Sequence, residues 1–402
     1  MSIYKQHLFN EKSFEKPVFE TTNLPLSDFP IEDWKNSGIS YDPTTISDND
    51  QFNDLIFGID NAEVINNYLK CEVTDSSGTI QAKMWSSNKV NFNEVISDFE
   101  EHKIYKVSGK WNEWPKGSGK FSIVIDRYVP IHDAKPEDLL PLITESRTDL
   151  RNELLYYIST LSEEVKKLAL DILKDVWEFF SIRPAAKGHH HFQLGGLLQH
   201  KVELMRIAHT YLNIDDYDKR ENLLFYVYNL TNKALWNEKK KQRKEEIQAF
   251  TAFYEKEDHL TKLIDSLLRC KDPYDRDVVI FSILFHDIGK LLEYTHHGDS
   301  ELKYKLWFPT SEIPMATKQF GVSMDPLGSS IGHITLGVMF VYKYWLSGIY
   351  KEIHHTFWLD VIGCIQSHHG RIDWNSTKVP TTSNEWLVHF CDYIDSKYAN
   401  EK

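Results

Sequence analysis

Apolar and polar positions change their rhythm twice along the chain. Up to about residue 50, Asn, Asp, Ser, Thr and Pro mix with isolated aromatics, and Ser37–Asn53 reads as a loop or linker. Alternation follows. Tyr68–Thr74 and Thr79–Trp85 read as strands around the turn Asp75-Ser76-Ser77-Gly78, and Lys103–Trp111 and Lys120–Tyr128 as a second pair around Pro115–Gly119. A strand at Asp54–Asp60 and a short helical link near Asn93–Phe99 complete the set. Five short strands over this length suit a small antiparallel barrel of the OB type. In the last pair Tyr105, Val107 and Trp111 share one face and Lys106 and Lys110 the other.

From about residue 138 the period becomes helical. Leu154, Leu155, Ile158, Leu161, Val165, Leu168, Ile172, Val176 and Phe179 give Arg151–Phe180 an apolar stripe. Ser162-Glu163-Glu164 predicts a helix restart by capping, and Pro184 ends the region. Further helices are expected at Gly196–Leu212, Glu221–Leu235, Asn237–Glu257, Val278–Leu292, Ile334–Trp345, Phe357–Ser367 and Glu385–Tyr398. The pattern divides the chain into an extension (1–52), a barrel (53–132) and an all-α domain (133–402).

Composition narrows the class. With 41% hydrophobic and 26% charged residues, the chain can bury a core and stay in solution. No stretch approaches the ~20 apolar residues of a spanning helix, because His286-Asp287 ends the run Val278–Phe285. Met1–His7 lacks the layout of a signal peptide, so a cytoplasmic protein with no membrane contact is expected. Cys71, Cys270, Cys364 and Cys391 are scattered, which argues against a disulfide framework or zinc ribbon. Forty-six basic against 59 acidic residues leave a formal net charge of −13. A negative field repels phosphate, so any nucleic acid must be held by a local basic strip or through bound cations.

Histidine is unevenly spread: 15 of 18 lie from His189 onward. They fall into groups with other ligand-type residues. His189-His190-His191 precede Gly195-Gly196-Leu197-Leu198-Gln199-His200; then come His286-Asp287-Ile288-Gly289-Lys290, Gly332-His333-Ile334, Ser367-His368-His369-Gly370, and His389 with Asp392 and Asp395. Imidazole and carboxylate without thiolate suit Mn²⁺, Fe²⁺, Zn²⁺ or, less well, Mg²⁺. The ligands outnumber the needs of one ion, which points to a pair of ions acting on a phosphoryl group. On a continuous helix His286 and Asp287 would lie about 100° apart, and Lys290 would share the His286 face, placed to hold a scissile phosphate. His102, His209 and His259 read as ordinary core or surface residues, and His296-His297 and His354-His355 as surface.

This order of motifs resembles that of the HD-domain metal phosphohydrolases. Pro184-Ala185-Ala186-Lys187, the run from His190 to His200, Ser367-His368-His369-Gly370 and His389-Phe390-Cys391-Asp392 are similar to the YhaM-type 3′-5′ exoribonucleases, as is the hairpin Asp75–Trp85 to their OB-fold. The resemblance spans about residues 53–212 and 276–398. It implies an HD domain after the barrel, His200, His286, Asp287 and Asp392 as metal ligands, and His333, His368 and His369 around a second ion. Asp395 is a close alternative to Asp392. It also implies a cofactor of two divalent ions, with Mn²⁺ favoured and Fe²⁺, Mg²⁺, Zn²⁺ or Co²⁺ compatible. Residues of about 213–275 are an insertion that this pattern does not require; their Lys239–Lys244 run reads as a solvated helix face or as an RNA-guiding strip.

The barrel supplies the local basicity. Lys103, Lys106, Lys110, Lys116, Lys120 and Arg127 are interleaved with Tyr105, Trp111, Trp114 and Phe121, a pairing that suits single strands. About half of these aromatics are expected to fill the barrel core. Lys83, Trp85, Lys106, Lys110, Trp111 and Lys120, with His190 and His191 ahead of His200, are the candidates for contacting the strand. The leading expectation is a metal-dependent 3′-5′ exonuclease of single-stranded RNA, with DNA as a further substrate. The catalytic groups would be Asp287 and Lys290. A nucleotide or cyclic-nucleotide phosphohydrolase and a non-catalytic nucleic-acid-binding component are the alternatives; a homo-oligomer is compatible with the sequence.

Overall fold

The computed structural model describes residues 14, 16–31, 46–75, 78–86, 91–102, 104–131, 139, 142–186, 193–242, 247–296, 302–310 and 322–398. The chain forms two compact units: Met1–Ile31, Glu145–Glu293 and Pro326–Lys402 make one, Glu32–Thr144 and Tyr294–Asp325 the other. The sequence had put residues 294–325 with the helices and the N-terminus on its own. Among the described residues no helix is long and apolar enough to cross a membrane.

The second unit holds a closed five-stranded barrel in the order β1-β2-β3-β5-β4. Its strands are β1 (Gln51–Ile65), β2 (Tyr68–Asp75), β3 (Gly78–Trp85), β4 (Ile104–Glu113) and β5 (Phe121–Pro130), with helix α1 (Phe92–His102) between β3 and β4. All neighbours are antiparallel except β3 and β5. β1 is twice the expected length because one strand serves two partners, pairing β4 through its first half and β2 through its second, with Gly58 opposite both Ile104 and Thr74. Bulges bend it, and Asp54 and Asn61, with φ of 54° each, sit at those irregularities. Phe52, Phe57, Ile59, Leu69, Cys71, Val73, Ala82, Tyr105, Val107, Ile123 and Ile125 fill the interior, closed at one end by Val95 and Phe99 of α1. The same unit carries the small ladder of β6 (Tyr294–His296) with β7 (Val322–Met324) and the short helix α9 (Leu302–Trp307).

The helical unit contains α2 (Arg147–Ser159), α3 (Glu163–Phe180), α4 (Gly196–Leu212), α5 (Tyr217–Gln242), α6 (Ile247–Arg269), α7 (Arg276–Phe285), α8 (Lys290–Glu293), α10 (Pro326–Ile331), α11 (His333–Leu346), α12 (His355–Ser367) and α13 (Ser383–Tyr398). α4, α7, α12 and α13 are its centre: α4 packs on α2, α7 and α13, and α12 on α7, α11 and α13. The restart at Ser162 occurs, but its hydroxyl makes no capping bond and donates to Asp277 instead. The inserted segment is a helix pair, α5 against α6. Its helices run through the break expected near residue 236, and the side chains of Lys239–Lys244 lie outside the described residues. Residues 16–31 form a strap on α2 and α3. Phe19 stacks on Tyr156 at 4.7 Å, buried Phe29 meets Trp177 edge-on at 5.2 Å, and Lys174 pairs with Asp28 at 2.7 Å.

The helix expected over Val278–Leu292 is broken at the motif it carries. α7 ends at Phe285 with His286 as its C-cap. The chain then tightens: Ile288 N–H donates to Phe285 O at 3.0 Å, Lys290 N–H to Asp287 O at 2.9 Å and Leu291 N–H to Ile288 O at 3.1 Å. Gly289 explains the break, since a Cβ there would stand 2.0 Å from the carbonyl of His333. The turn is pressed onto the start of α11, and only glycine permits that approach.

Candidate active site and nucleic-acid interface

Four central elements and the α11 N-terminus converge on one buried carboxylate. Asp287, 1% exposed, points its Oδ2 at His286 Nε2 (3.1 Å) and His200 Nε2 (3.2 Å), and its Oδ1 toward His368 Nε2 (3.6 Å) and His333 Nε2 (3.8 Å). Asp392 Oδ1 closes the first group at 3.4 Å from His200 Nε2 and 3.8 Å from His286 Nε2. His369 Nε2 closes the second at 3.4 Å from His333 Nε2.

Each histidine has its other nitrogen committed. Nδ1 of His200 donates to Asp395 (2.6 Å), of His286 to Ile283 O (3.0 Å), of His333 to Glu293 (3.0 Å), of His368 to Ile365 O (2.7 Å) and of His369 to Trp374 O (2.7 Å). The five Nε2 atoms therefore face inward, which is the arrangement imidazole ligands need. Two clusters could hold a metal ion, His200 with His286 and Asp287, and His333 with His368 and His369. The donor set fits this reading on a further count. Among the described residues Asp287 Oδ1 and His368 Nε2 are buried with no hydrogen-bond partner, a cost that a coordinated cation would remove.

The electrostatics agree for the two carboxylates, His286 and His368, whereas His200, against its burial and the charge of Lys201, is raised to about 10 by its hydrogen bonds to Asp287, Asp392 and Asp395. Burial opposes ionisation of Asp287, yet the adjoining His286, with the charges of Lys201 and Lys290, holds it well below the usual carboxylate range. Asp392 is held down in the same way, against its burial, by His200, His286 and His368. Burial lowers His286 to about 4 and, with the neighbouring His369, takes His368 well below its ordinary value, so both keep a lone pair.

The sequence-predicted groups meet here with one change and two additions. Asp392 faces the cluster, whereas Asp395 stands behind His200 as its hydrogen-bond acceptor. Lys290 reaches Asp287 Oδ2 at 2.9 Å from three residues away in the turn, not from one face of a helix shared with His286. Glu293 was missed: it accepts from the backbone N–H of His333 as well as from the ring. Lys201 was also missed. It is fully buried, with Nζ 3.1 Å from His286 Nε2 and 3.2 Å from Asp287 Oδ2, and burial lowers it to about 8. The sequence held a signal for it, because Gln199, Lys201, Glu203 and Arg206 crowd a helix too apolar to leave them in water. His389, grouped in the sequence with Asp392, lies beneath the second cluster with Nδ1 2.7 Å from His368 O. His190 and His191 lie outside the described residues.

On the barrel, strand register sets Lys70 opposite Lys83, Lys83 opposite Val124 and Val124 opposite Lys110. Three lysines thus span four strands in one transverse row on the outer face. Tyr68, opposite Trp85, adds a ring at 5.2 Å from the half-exposed indole, and Lys83 Nζ stands 5.7 Å from the Tyr68 centroid. Lys106 and Lys120 are exposed away from this row, Lys106 opposite Val129 and Lys120 beside the β4–β5 turn. Trp111 corrects the sequence expectation. It is 3% exposed and packs on Phe52 at 5.4 Å, because the face it shares with Tyr105 and Val107 is the barrel interior. Trp114, 76% exposed, is the neighbouring aromatic that does reach solvent, and Lys103 lies outside the described residues.

A family model described as an OB-fold nucleic acid binding domain matches residues 61–131, within the barrel unit. Three curated relatives carry the name 3′-5′ exoribonuclease YhaM. That of a Geobacillus species is 22% identical over 333 residues, covering 82% of this chain and 76% of its own length. This chain is similar to the YhaM exoribonucleases over most of its length. Those of Bacillus pumilus (21% over 340 residues) and Oceanobacillus iheyensis (23% over 333) likewise cover 82% of this chain and 78% of their own. The likeness is therefore not confined to the barrel.

Proposed function

We propose that the chain is a metal-dependent 3′-5′ exonuclease of single-stranded RNA that releases nucleoside monophosphates. The observation that carries this reading is Asp287, whose two oxygens each face a separate histidine cluster. His200, His286, Asp287 and Asp392 would hold one divalent ion, and His333, His368, His369 and the other oxygen of Asp287 a second. Imidazole and carboxylate donors without thiolate suit Mn²⁺, Fe²⁺ or Zn²⁺, and Mn²⁺ is the ion to test first. Such a pair of ions supplies an activated water and neutralises charge on the phosphoryl group.

The chain's own residues do the rest. Asp395 and Glu293 orient His200 and His333, while the Ile283, Ile365 and Trp374 carbonyls fix the remaining rings. Lys201 lies buried against Asp287 and keeps it ionised. Lys290 is less buried and reaches the same oxygen, placed to meet a scissile phosphate. The row Lys70–Lys83–Lys110 with Tyr68 and Trp85 would hold the strand by charge and by stacking. The relatives' shared name supports the substrate class and direction.

The test uses 5′-labelled single-stranded RNA and DNA with Mn²⁺, Mg²⁺ or chelator. A ladder shortening progressively from the 3′ end, lost with chelator, is expected. Cleavage of a circular single strand, or hydrolysis restricted to free nucleotides, would sink the proposal.

A further inference from the structure

His259 lies on α6, in the segment between His200 and His286 that the motif pattern does not require. It is 7% exposed, with its Nε2 2.8 Å from Nε2 of His389. His389 Nδ1 is 2.7 Å from the main-chain oxygen of His368. A carbonyl oxygen only accepts, so His389 carries its proton on Nδ1 and offers the lone pair of Nε2. His259 must then donate from its own Nε2. The order of protons along the chain His259, His389, His368 O is fixed by acceptor chemistry alone.

The same ring has a second connection to the cluster. Its centroid is 4.5 Å from that of Trp374 and 4.8 Å from that of Tyr393, and Trp374 and Tyr393 lie parallel at 5.9 Å. The carbonyl of Trp374 accepts from His369 Nδ1 at 2.7 Å. Between the two contacts runs Gly370, with φ +77°, where a Cβ would stand 2.0 Å from His389 Nε2. The turn after His369 is thus moulded onto the His389 ring, and His259 lies against both His389 and Trp374.

We infer that His259 is a positioning residue for the His333–His368–His369 cluster, through its hydrogen bond to His389 and its contact with Trp374. The inference rests on the metal reading above. It makes α6 a working brace: the inserted pair supplies a side chain on which the aim of His368 and His369 depends. Removing a group that orients a metal ligand in this way typically lowers metal affinity by about 10–100-fold.

The experiment is equilibrium dialysis of the full chain against Mn²⁺ with elemental analysis, on wild type, His259→Phe and His259→Gln, with thermal unfolding recorded for each. Wild type is expected to bind two ions. His259→Phe keeps the ring on Trp374 but lacks the donor, and one of its two ions should weaken by about 10–100-fold. His259→Gln, whose amide N–H can reach His389 Nε2, should restore most of that loss. If His259→Phe does not fold, His259→Asn, polar but too short to reach, should show the same weakening. Two ions held as tightly by the Phe or Asn variant as by wild type would overturn the inference alone, as would equal losses for Phe and Gln. Fewer than two ions on the wild-type chain would overturn the metal reading and the inference with it.

Discussion

The barrel and the helical unit place their charged groups in opposite ways. On the barrel, Lys70, Lys83 and Lys110 stand in a row on the outer face, and their neighbours are other side chains of that face. In the helical unit Asp287, His200, His286, Lys201 and His368 are all 1% exposed or less, and nearly every polar atom is aimed by another. An open row in water attracts phosphate broadly, each contact worth little, and tolerates loss of one member. A buried cluster works through exact placement of a few atoms and fails when one is removed. The difference teaches that holding a strand and cutting it would be separable by mutation.

The sharpest way to break this contrast is at Asp287. Asp287→Ala should abolish hydrolysis and remove bound Mn²⁺ from a chain that still folds; turnover at the wild-type rate in the purified variant would refute the shared-carboxylate reading. Next come the two tryptophans of the barrel. Trp111→Ala should destabilise the barrel by about 3–5 kcal/mol in a denaturant titration, as loss of a large core ring does. Trp85→Ala should leave that stability nearly unchanged and weaken single-strand binding by about 1–3 kcal/mol, measured by fluorescence anisotropy. Reversed outcomes would exchange the assignments of core and face.

Asp395→Asn tests the shell behind the buried cluster. The amide can turn its oxygen to His200 Nδ1 but carries no charge, so activity at saturating Mn²⁺ should fall by about 10–100-fold, far short of the Asp287 effect. Parity with Asp287→Ala would make Asp395 a ligand. The smallest effects belong to the row. Lys83→Gln or Lys110→Gln should each flatten the dependence of log affinity on log salt by about 0.7, and Lys106→Gln, away from the row, should change it less. A steeper loss at Lys106 than at Lys83 would show that strand register is not what organises the surface.

The elements of both units were largely legible in the sequence because alternation and helical period report burial directly. What escaped depended on contacts between residues far apart in the chain. The length of β1 is hidden because Asp54 and Asn61 read as polar interruptions, whereas they are bends that let one strand pair twice. Trp111 and Trp85 each close an alternating run that carries lysine on one face, and only barrel closure decides which is inside. The ligand-type residues announced themselves by clustering, but their supports did not. Lys201 is one charged residue among several on α4, and His259 looks isolated until α6 packs beside α13. The lysine row is invisible for the same reason, since Lys70, Lys83 and Lys110 share a line only through register.

Closure of the barrel has one more consequence. With β1 bonded to both β2 and β4, and β5 joining β3 to β4, the five-stranded sheet runs full circle. The β3–β5 seam is short, Ala82 with Ile123 and Lys83 with Val124, and elsewhere the strands leave no edge for a partner to extend with a strand of its own. Away from that seam recognition falls to side chains and loops, so selectivity there can be rewritten by substitution on the outer face without disturbing the hydrogen bonds that hold the barrel shut.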